Sequence, residues 1–274
     1  LPPGRYLSWI RLHGCARCRK VLRRTRYTGH KSKSSPLTFM GQIPILEKDN
    51  ILFPPVENAL RHPEGLLAAG GDLSVARLEA AYRQGIFPWF DDHQPILWWC
   101  PNPRAVIFTD QFKPSRSLLK LLRKHRFTIC VNSAFDAVIE ACSGPRYGNP
   151  GTWITPDMKV AYKAMHRIGL AHSIECYREG LLVGGLYGVG IGNLFFGESM
   201  FHHETDASKV AFAHLVRLMR DQNCPLIDCQ IGNSHLTSLG AVEIPRQDFL
   251  EYLQDLKSQK EIDWRALPEK LPPW

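Results

Sequence analysis

The sequence predicts an α+β protein: a small N-terminal α/β domain, then a larger domain built on a mixed sheet with flanking helices. Three observations predict it. Residues 181–230 read as strand, strand, helix, strand. A further strand, His172–Tyr177, precedes them across the turn Arg178-Glu179-Gly180, which makes a meander, a helix and a returning strand. Cys100-Pro101-Asn102-Pro103 follows a run of aromatics and marks a domain junction. The chain therefore divides into a basic extension expected to be disordered (1–39), an N-terminal domain (40–102), a larger domain (103–258) and a polar, Pro-containing tail (259–274) expected to be loose.

The chain has 274 residues, 44% hydrophobic and 22% charged, enough for one large or two modest domains with a real core. No apolar run approaches the roughly 20 residues of a membrane span. The expected location is the cytoplasm, with no membrane and no DNA partner. The net charge of +8 is unevenly placed. Residues 1–39 hold ten Lys/Arg and no Asp/Glu, which leaves 24 basic and 26 acidic residues in the rest. A nucleic-acid site in the body must therefore be a local patch.

Residues 1–39 lack a secretory apolar core. They fit translated sequence upstream of the true start better than a transit peptide or a nucleic-acid tail. Cys15-x-x-Cys18 lies there, with His13 and His30 nearby, but has no second pair at finger spacing. No metal is expected. The other six cysteines are scattered through apolar or turn contexts and read as buried thiols.

Beyond Met40 the elements follow in order. Ile43–Pro63 is extended and Pro-punctuated. Ser74 caps a helix over Val75–Gln84, with Gly85 at its C-terminal turn. Phe87, Phe90, Trp98 and Trp99 read as core. Arg104–Phe108 is a strand. Ser115 opens a helix carrying Arg116, Lys120, Arg123 and Lys124 on one face, with Leu118, Leu119 and Leu122 on the other. A solvated basic face is the ordinary reading, but four cations without an acid on a net-acidic body suit phosphate contacts. Phe127–Val131 is a strand, Ala134–Ala141 a helix and Gly144–Gly151 a loop. Pro156 starts a helix through Ile168.

In the central unit, Leu181–Val189 and Leu194–Phe201 flank a Gly190–Asn193 turn and read as a hairpin. Thr205 or Asp206 caps the helix that follows. The glycines there form neither GxGxxG nor GxxxxGK[ST], so no nucleotide loop is expected. His202-His203-Glu204 reads as a polar turn rather than a metal site. Asn233–Leu239 is irregular, and a helix runs from Arg246 to Lys257.

Three polar residues interrupt these apolar strands: Glu198, Asp228 and Gln230. A buried carboxylate is costly without a partner, so its presence asks for a function or a fixed hydrogen bond. Asp228 and Gln230 are two apart, on one face of a regular strand, with Ile227 and Cys229 on the other. On regular alternation Glu198 shares its face with Phe196 and Met200, and Phe195 opposes Met200.

GESMF (197–201), DASK (206–209), LIDCQ (226–230) and SLGAVEIPR (238–246) resemble the leucyl/phenylalanyl-tRNA–protein transferase family. GLLAAGGDLS (65–74), GIFPWF (85–90), ILWWCPNPRAV (96–106) and GTWIT (151–155) fit it in the same order. The resemblance covers about Met40 to Leu253. It implies a GNAT-like (acyl-CoA N-acyltransferase-like) catalytic domain, which the order of elements also resembles. It implies transfer of Leu or Phe, with Met less well, from aminoacyl-tRNA to proteins bearing N-terminal Arg or Lys, creating an N-degron. No cofactor is implied.

By the same resemblance, Trp89 and Trp153 line the site of the terminal adenosine, where an indole suits a base. Arg116, Lys120, Arg123 and Lys124 match tRNA-facing positions. Met200, Phe195, Leu186 and Ile227 match the aminoacyl pocket; as Phe195 and Met200 face opposite ways in a perfect strand, this asks for a bulge or an incomplete match, and the family often has a smaller aliphatic residue where this chain has Phe212. Gln230 would orient the acceptor amine, with Asp228 fixing Gln230 electrostatically. Independently of the resemblance, Glu198 reads as holding the donor's free α-amino group or the acceptor's positive side chain, against the ordinary reading of a structural hydrogen bond within the sheet. A CoA-dependent N-acetyltransferase and a non-catalytic RNA-binding protein are the rival readings. Against the first, Asp206 puts an acid at the helix start where a pyrophosphate would sit.

Overall fold

A computed structural model describes residues 43–144 and 152–274, together with the backbone of Tyr6–Ser8. The rest of the 1–39 extension, with Cys15, Cys18, His13 and His30, lies outside the described residues, as do residues 145–151 of the expected loop.

Apart from the short strand Tyr6–Ser8, two sheets fall on either side of Asn102. The smaller has the strand order β2 (Ile45–Leu46), β3 (Leu66–Gly70), β5 (Leu97–Trp99) and β4 (Phe87–Pro88). Beside it lies helix α1 (Val75–Tyr82). The Ser74 hydroxyl accepts the Arg77 N–H to start α1, and Gly85, at φ 73°, turns the chain after it.

The larger sheet has the order β12 (Val242–Ile244), β6 (Arg104–Phe108), β11 (Leu226–Gln230), β10 (Leu194–His202), β9 (Leu181–Ile191), β8 (Ala171–Arg178) and β7 (Thr128–Val131). The strand β1 (Tyr6–Ser8) pairs with β10 off this path. Helices α2 (Arg116–Leu122), α3 (Phe135–Ser143), α4 (Pro156–Arg167), α5 (Ala207–Asp221), α6 (Ser234–Ser238) and α7 (Arg246–Leu256), with one 3-10 turn at Val56–Asn58, complete the described elements. The expected α+β class with a mixed sheet is what is found: β8, β9 and β10 are antiparallel, and after α5 the chain returns as β11, parallel to β10.

The β9–β10 hairpin closes on Gly192 and Asn193 alone, tighter than the four-residue turn expected. Gly192 has φ 57°, and a Cβ there would lie 2.4 Å from the Leu256 carbonyl, so only glycine fits. Strand β10 is buried along its whole length. Burying its three phenylalanines, Phe195, Phe196 and Phe201, contributes about 2–3 kcal/mol each by apolar transfer. Helix α5 lies on the sheet close enough that a Cβ on Gly184 would meet Ala207 at 2.6 Å.

Four expectations are corrected. The tail is not loose: Ile262, Trp264 and Leu271 are buried, and Trp264 stacks on His172 with ring centres 4.0 Å apart. The tail also bonds to β7, through Leu271 N–H to Ile129 O and Val131 N–H to Glu269 O. Residues 234–238, expected to be irregular, form α6, because the Asn233 side chain caps it through Leu236 N–H. Asp206 precedes α5 at φ 64° without a side-chain capping bond, and its carboxylate faces Lys209 at 2.7 Å instead. Finally, α2 ends at Leu122, so Arg123 and Lys124 extend past its last turn.

Candidate active site

Glu198 sits at a bulge. Gly197 pairs with Gly188 and Ser199 with Tyr187, so β10 carries one extra residue between them. Paired residues share a face, and the bulge reverses alternation beyond it. Phe195, Met200, Leu186 and Ile227 therefore share one face, towards Trp264 and α5. Phe196, Glu198 and Asp228 share the other, towards Tyr82. Glu198 thus keeps Phe196 on its face but loses Met200, and Phe195 no longer opposes Met200. The four residues matched to an aminoacyl pocket lie, all buried, on the sheet face opposite the carboxylates, as two pairs, Phe195 with Ile227 and Met200 with Leu186.

Glu198 is fully buried and accepts three hydrogen bonds. Tyr82 OH and Gln230 Nε2 each reach Oε1 at 2.7 Å, and Tyr162 OH reaches Oε2 at 3.0 Å. The two phenols touch each other at 2.5 Å. Burial pushes the Glu198 carboxyl up to about 7, with the nearby Asp228 charge adding to it, against the bonds from Tyr82, Tyr162 and Gln230. Burial also drives both tyrosines well above their ordinary values.

Asp228 is held differently. Arg104 on β6 grips it bidentately, Nε to Oδ1 at 2.7 Å and Nη2 to Oδ2 at 2.6 Å, with all four atoms buried. The third guanidinium nitrogen donates to Gly85 O at 2.9 Å, and the Phe87 and Phe249 rings flank the cation. Burial works against the Arg104 charge, but the attraction of Asp228 outweighs it and holds the guanidinium above its ordinary value.

Gln230 joins the two. Its backbone N–H donates to Asp228 Oδ1 at 3.0 Å while its side chain donates to Glu198. To do both it adopts φ 63°, where β11 slips register against β6. A left-handed backbone is costly for a residue with a side chain, and it persists here because both bonds fix it. Nε2 faces Glu198, the orientation that the ionised carboxylate, which only accepts, requires. Oε1 is then left buried, with no hydrogen-bond partner among the described residues.

Cys229 is buried, and desolvation holds its thiol well above the ordinary range, which makes it a poor nucleophile. Trp89 is half-buried, edge-on to Trp99 with ring centres 5.4 Å apart. Trp153 is buried, and its indole N–H has no partner among the described residues. Arg116, Lys120, Arg123 and Lys124 are all exposed and form no ion pair with the described residues. Among the described residues no group of His, Cys, Asp and Glu is placed to hold a metal, and no helix is long and apolar enough to cross a membrane.

Sequence reasoning missed Arg104, Tyr82 and Tyr162. Arg104 had a signal, since it is a charge inside an apolar strand, as Asp228 is. The tyrosines had none: they reach Glu198 from α1 and α4, which no periodicity places over β10.

A buried amide with a vacant acceptor, braced by two carboxylates and lacking an activated nucleophile, suits enzymes that transfer an acyl group already activated on its donor. The comparisons with known proteins narrow this class. The family model of leucyl/phenylalanyl-tRNA protein transferase matches residues 106–254, and that of its N-terminal domain matches residues 71–102. A leucyl/phenylalanyl-tRNA–protein transferase of Azotobacter vinelandii is 54% identical over 224 residues, 81% of this chain and 98% of that protein. Those of Pseudomonas fluorescens and Chromobacterium violaceum are each 56% identical, over 76% and 74% of this chain and 92% and 88% of theirs. The chain belongs to the leucyl/phenylalanyl-tRNA–protein transferase family, and it is an aminoacyltransferase.

Proposed function

We propose that the chain moves Leu or Phe, and Met less well, from aminoacyl-tRNA to the N-terminal Arg or Lys of an acceptor protein, and so creates an N-degron. The observation that carries the site assignment is the orphaned Gln230 Oε1. A buried acceptor without a donor costs about 1–3 kcal/mol, and an N–H of the acceptor α-amine removes that cost when it binds there. The neutral amine nitrogen attacks the ester carbonyl carbon. A C–N bond forms, the C–O bond to the terminal ribose breaks, and the amine proton ends on the ribose oxygen.

Gln230 orients the amine. Asp228 holds the Gln230 backbone, with Arg104 holding Asp228. The α-amine has an ordinary pKa of about 8, so a usable fraction is neutral at pH 7 and orientation can supply much of the rate. Glu198 fixes the amide and offers negative charge to a cationic substrate group. Leu186, Phe195, Met200 and Ile227 line the aminoacyl pocket, a deformable surface that favours unbranched and γ-branched side chains. Trp89 and Trp153 flank the terminal adenosine, and the α2 cations take phosphates. The larger domain is read as GNAT-like, spanning 103–258 after an N-terminal domain over 40–102, with the cytoplasm as its place of action.

The test is a choice of donors: radiolabelled Leu-tRNA against acetyl-CoA, with an Arg-terminated peptide as acceptor. Transfer from Leu-tRNA is expected. Acetylation, or RNA binding with no transfer, refutes the reading. Changing Arg116, Lys120, Arg123 and Lys124 together to Ala should raise the KM for Leu-tRNA and flatten its salt dependence, while an aminoacyl-adenosine donor is spared. Equal loss with both donors would leave those cations without a role in RNA binding.

A further inference from the structure

Strands β10 and β11 share only a short ladder. Phe195 pairs with Ile227 and Phe196 with Asp228. Gln230 then turns β11 away through its left-handed backbone, while β10 continues to His202. Past the split, β10 is paired along one side with β9, Ser199 to Tyr187 through His202 to Gly184. On the other side, Ser199, Met200 and Phe201 offer their main chain to a slot in line with the track β11 has left. That slot takes a strand: Tyr6–Ser8 lies along it antiparallel to β10, with Tyr6 against Phe201, Leu7 against Met200 and Ser8 against Ser199. The Ser199 hydroxyl at its start is fully buried and has no hydrogen-bond partner among the described residues.

The slot begins where the active site ends. Glu198 is the bulged residue immediately before Ser199, and Gln230 Nε2 lies 2.7 Å from its carboxylate. Direction then matters. A polypeptide running parallel to β10, as β11 does, has its N-terminus beside Gln230 and its following residues along Ser199, Met200 and Phe201. A strand of the opposite sense puts its N-terminus at the far end.

We propose that the acceptor protein docks by strand addition: its first residues pair in parallel with Ser199–Phe201 of β10, which delivers its α-amine to Gln230, and Tyr6–Ser8 competes for the same edge. The inference rests on the transfer reading above. It explains how one site serves acceptors that share little beyond their first residue, because main-chain pairing supplies affinity without reading side chains. It also requires an acceptor N-terminus that is extended and free of tertiary structure for several residues.

The test is a scan of backbone N-methylation along an Arg-terminated acceptor hexapeptide, with the full chain and Leu-tRNA. One edge of a strand presents every second N–H to the sheet. Methylation at alternate positions should raise the acceptor KM about tenfold per lost bond, with the intervening positions tolerated and the donor KM unchanged. Removal of residues 1–39 should lower the acceptor KM and leave the donor KM alone. A methylation profile without alternation overturns the docking, and an unchanged acceptor KM on truncation overturns the shared edge. Arginine amide offers the amine without a strand and should still accept Leu, at a raised KM. Failure of every acceptor, arginine amide included, overturns the transferase reading itself, whereas transfer without a positional pattern overturns the docking alone.

Discussion

Two carboxylates lie buried on one face of the same sheet, one strand apart, and the protein treats them in opposite ways. Asp228 has a full cation: both its oxygens are gripped by Arg104. Glu198 has none. Its partners are two phenols and an amide, and burial lifts its pKa to about 7. Counting protons sharpens the contrast. Glu198, Tyr82 and Tyr162 make three oxygen–oxygen contacts, but the two phenols supply only two protons. The ionised network is one proton short, and a protonated Glu198 completes it. The Asp228 region is therefore a fixed brace and the Glu198 region a titratable one, with Gln230 bonded to both.

The largest expected effect comes from breaking the brace. Arg104→Met leaves Asp228 as an unpaired buried charge and strips Gly85 O of its donor. It should destabilise the fold by about 3–5 kcal/mol in urea denaturation, and Arg104→Met with Asp228→Leu should recover most of that, because the penalty lies in the uncompensated charge. A small loss in the single variant would mean that water reaches Asp228.

The titratable region responds to pH instead. A glutamate whose folded pKa lies above its ordinary value of 4.5 contributes stability that is fully present below about pH 4.5 and is lost as pH rises through about 7. The lifted pKa corresponds to a swing of about 3 kcal/mol between those limits. In Glu198→Gln this contribution to the pH dependence should vanish, so the difference in stability between variant and parent should grow from pH 5 to pH 8. Parallel curves across that range would show that Glu198 does not titrate there.

The residue that joins the regions should show its effect in rate rather than stability. Gln230→Ala should lower kcat on the order of 10²-fold, the usual scale for losing one aligned polar group, with little change in donor KM. Asp228→Asn should also lower kcat. On the proposed mechanism Asp228 acts through Gln230, so the double variant should be little worse than the poorer single one. Cys229→Ala should leave transfer intact. A folded Gln230→Ala enzyme with near-normal single-turnover transfer would remove Gln230 from the chemistry.

How much of this contrast was legible beforehand follows from the range of the contacts. Asp228, Gln230 and Glu198 stand out in sequence because a polar residue in an apolar strand is a local anomaly. The order of the central strands and α5 was equally local. What decides between brace and switch is not. Arg104 is 124 residues from Asp228, and Tyr82 is 116 from Glu198. The bulge was signalled only indirectly, because the resemblance sets Phe195 and Met200 in one pocket although a perfect strand points them opposite ways; its place at Glu198 was not legible, because a period of two cannot show where one residue is extra. That single residue moved Met200 to the Phe195 face. The tail was misread for a related reason: its composition is polar, but Ile262, Trp264 and Leu271 suffice to pin it down.

The smallest expected effect tests the proton count directly. Tyr82→Phe removes the hydroxyl common to both Tyr162 and Glu198 but keeps the ring, which packs edge-on against Phe196 with centres 5.2 Å apart. The loss should be about 1 kcal/mol, the net worth of one hydrogen bond, since the partners left behind still have each other. Its signature lies in pH. The Tyr82 bond favours the Glu198 carboxylate, so without it the pKa should rise further, and the fall in stability should move to higher pH by less than about one unit. Tyr162→Phe removes a longer contact, 3.0 Å against 2.7 Å, and should shift the fall by less. If either variant moves it to lower pH, the phenols together stabilise the protonated acid rather than the carboxylate, and the proton missing from the ionised network outweighs their bonds to Glu198.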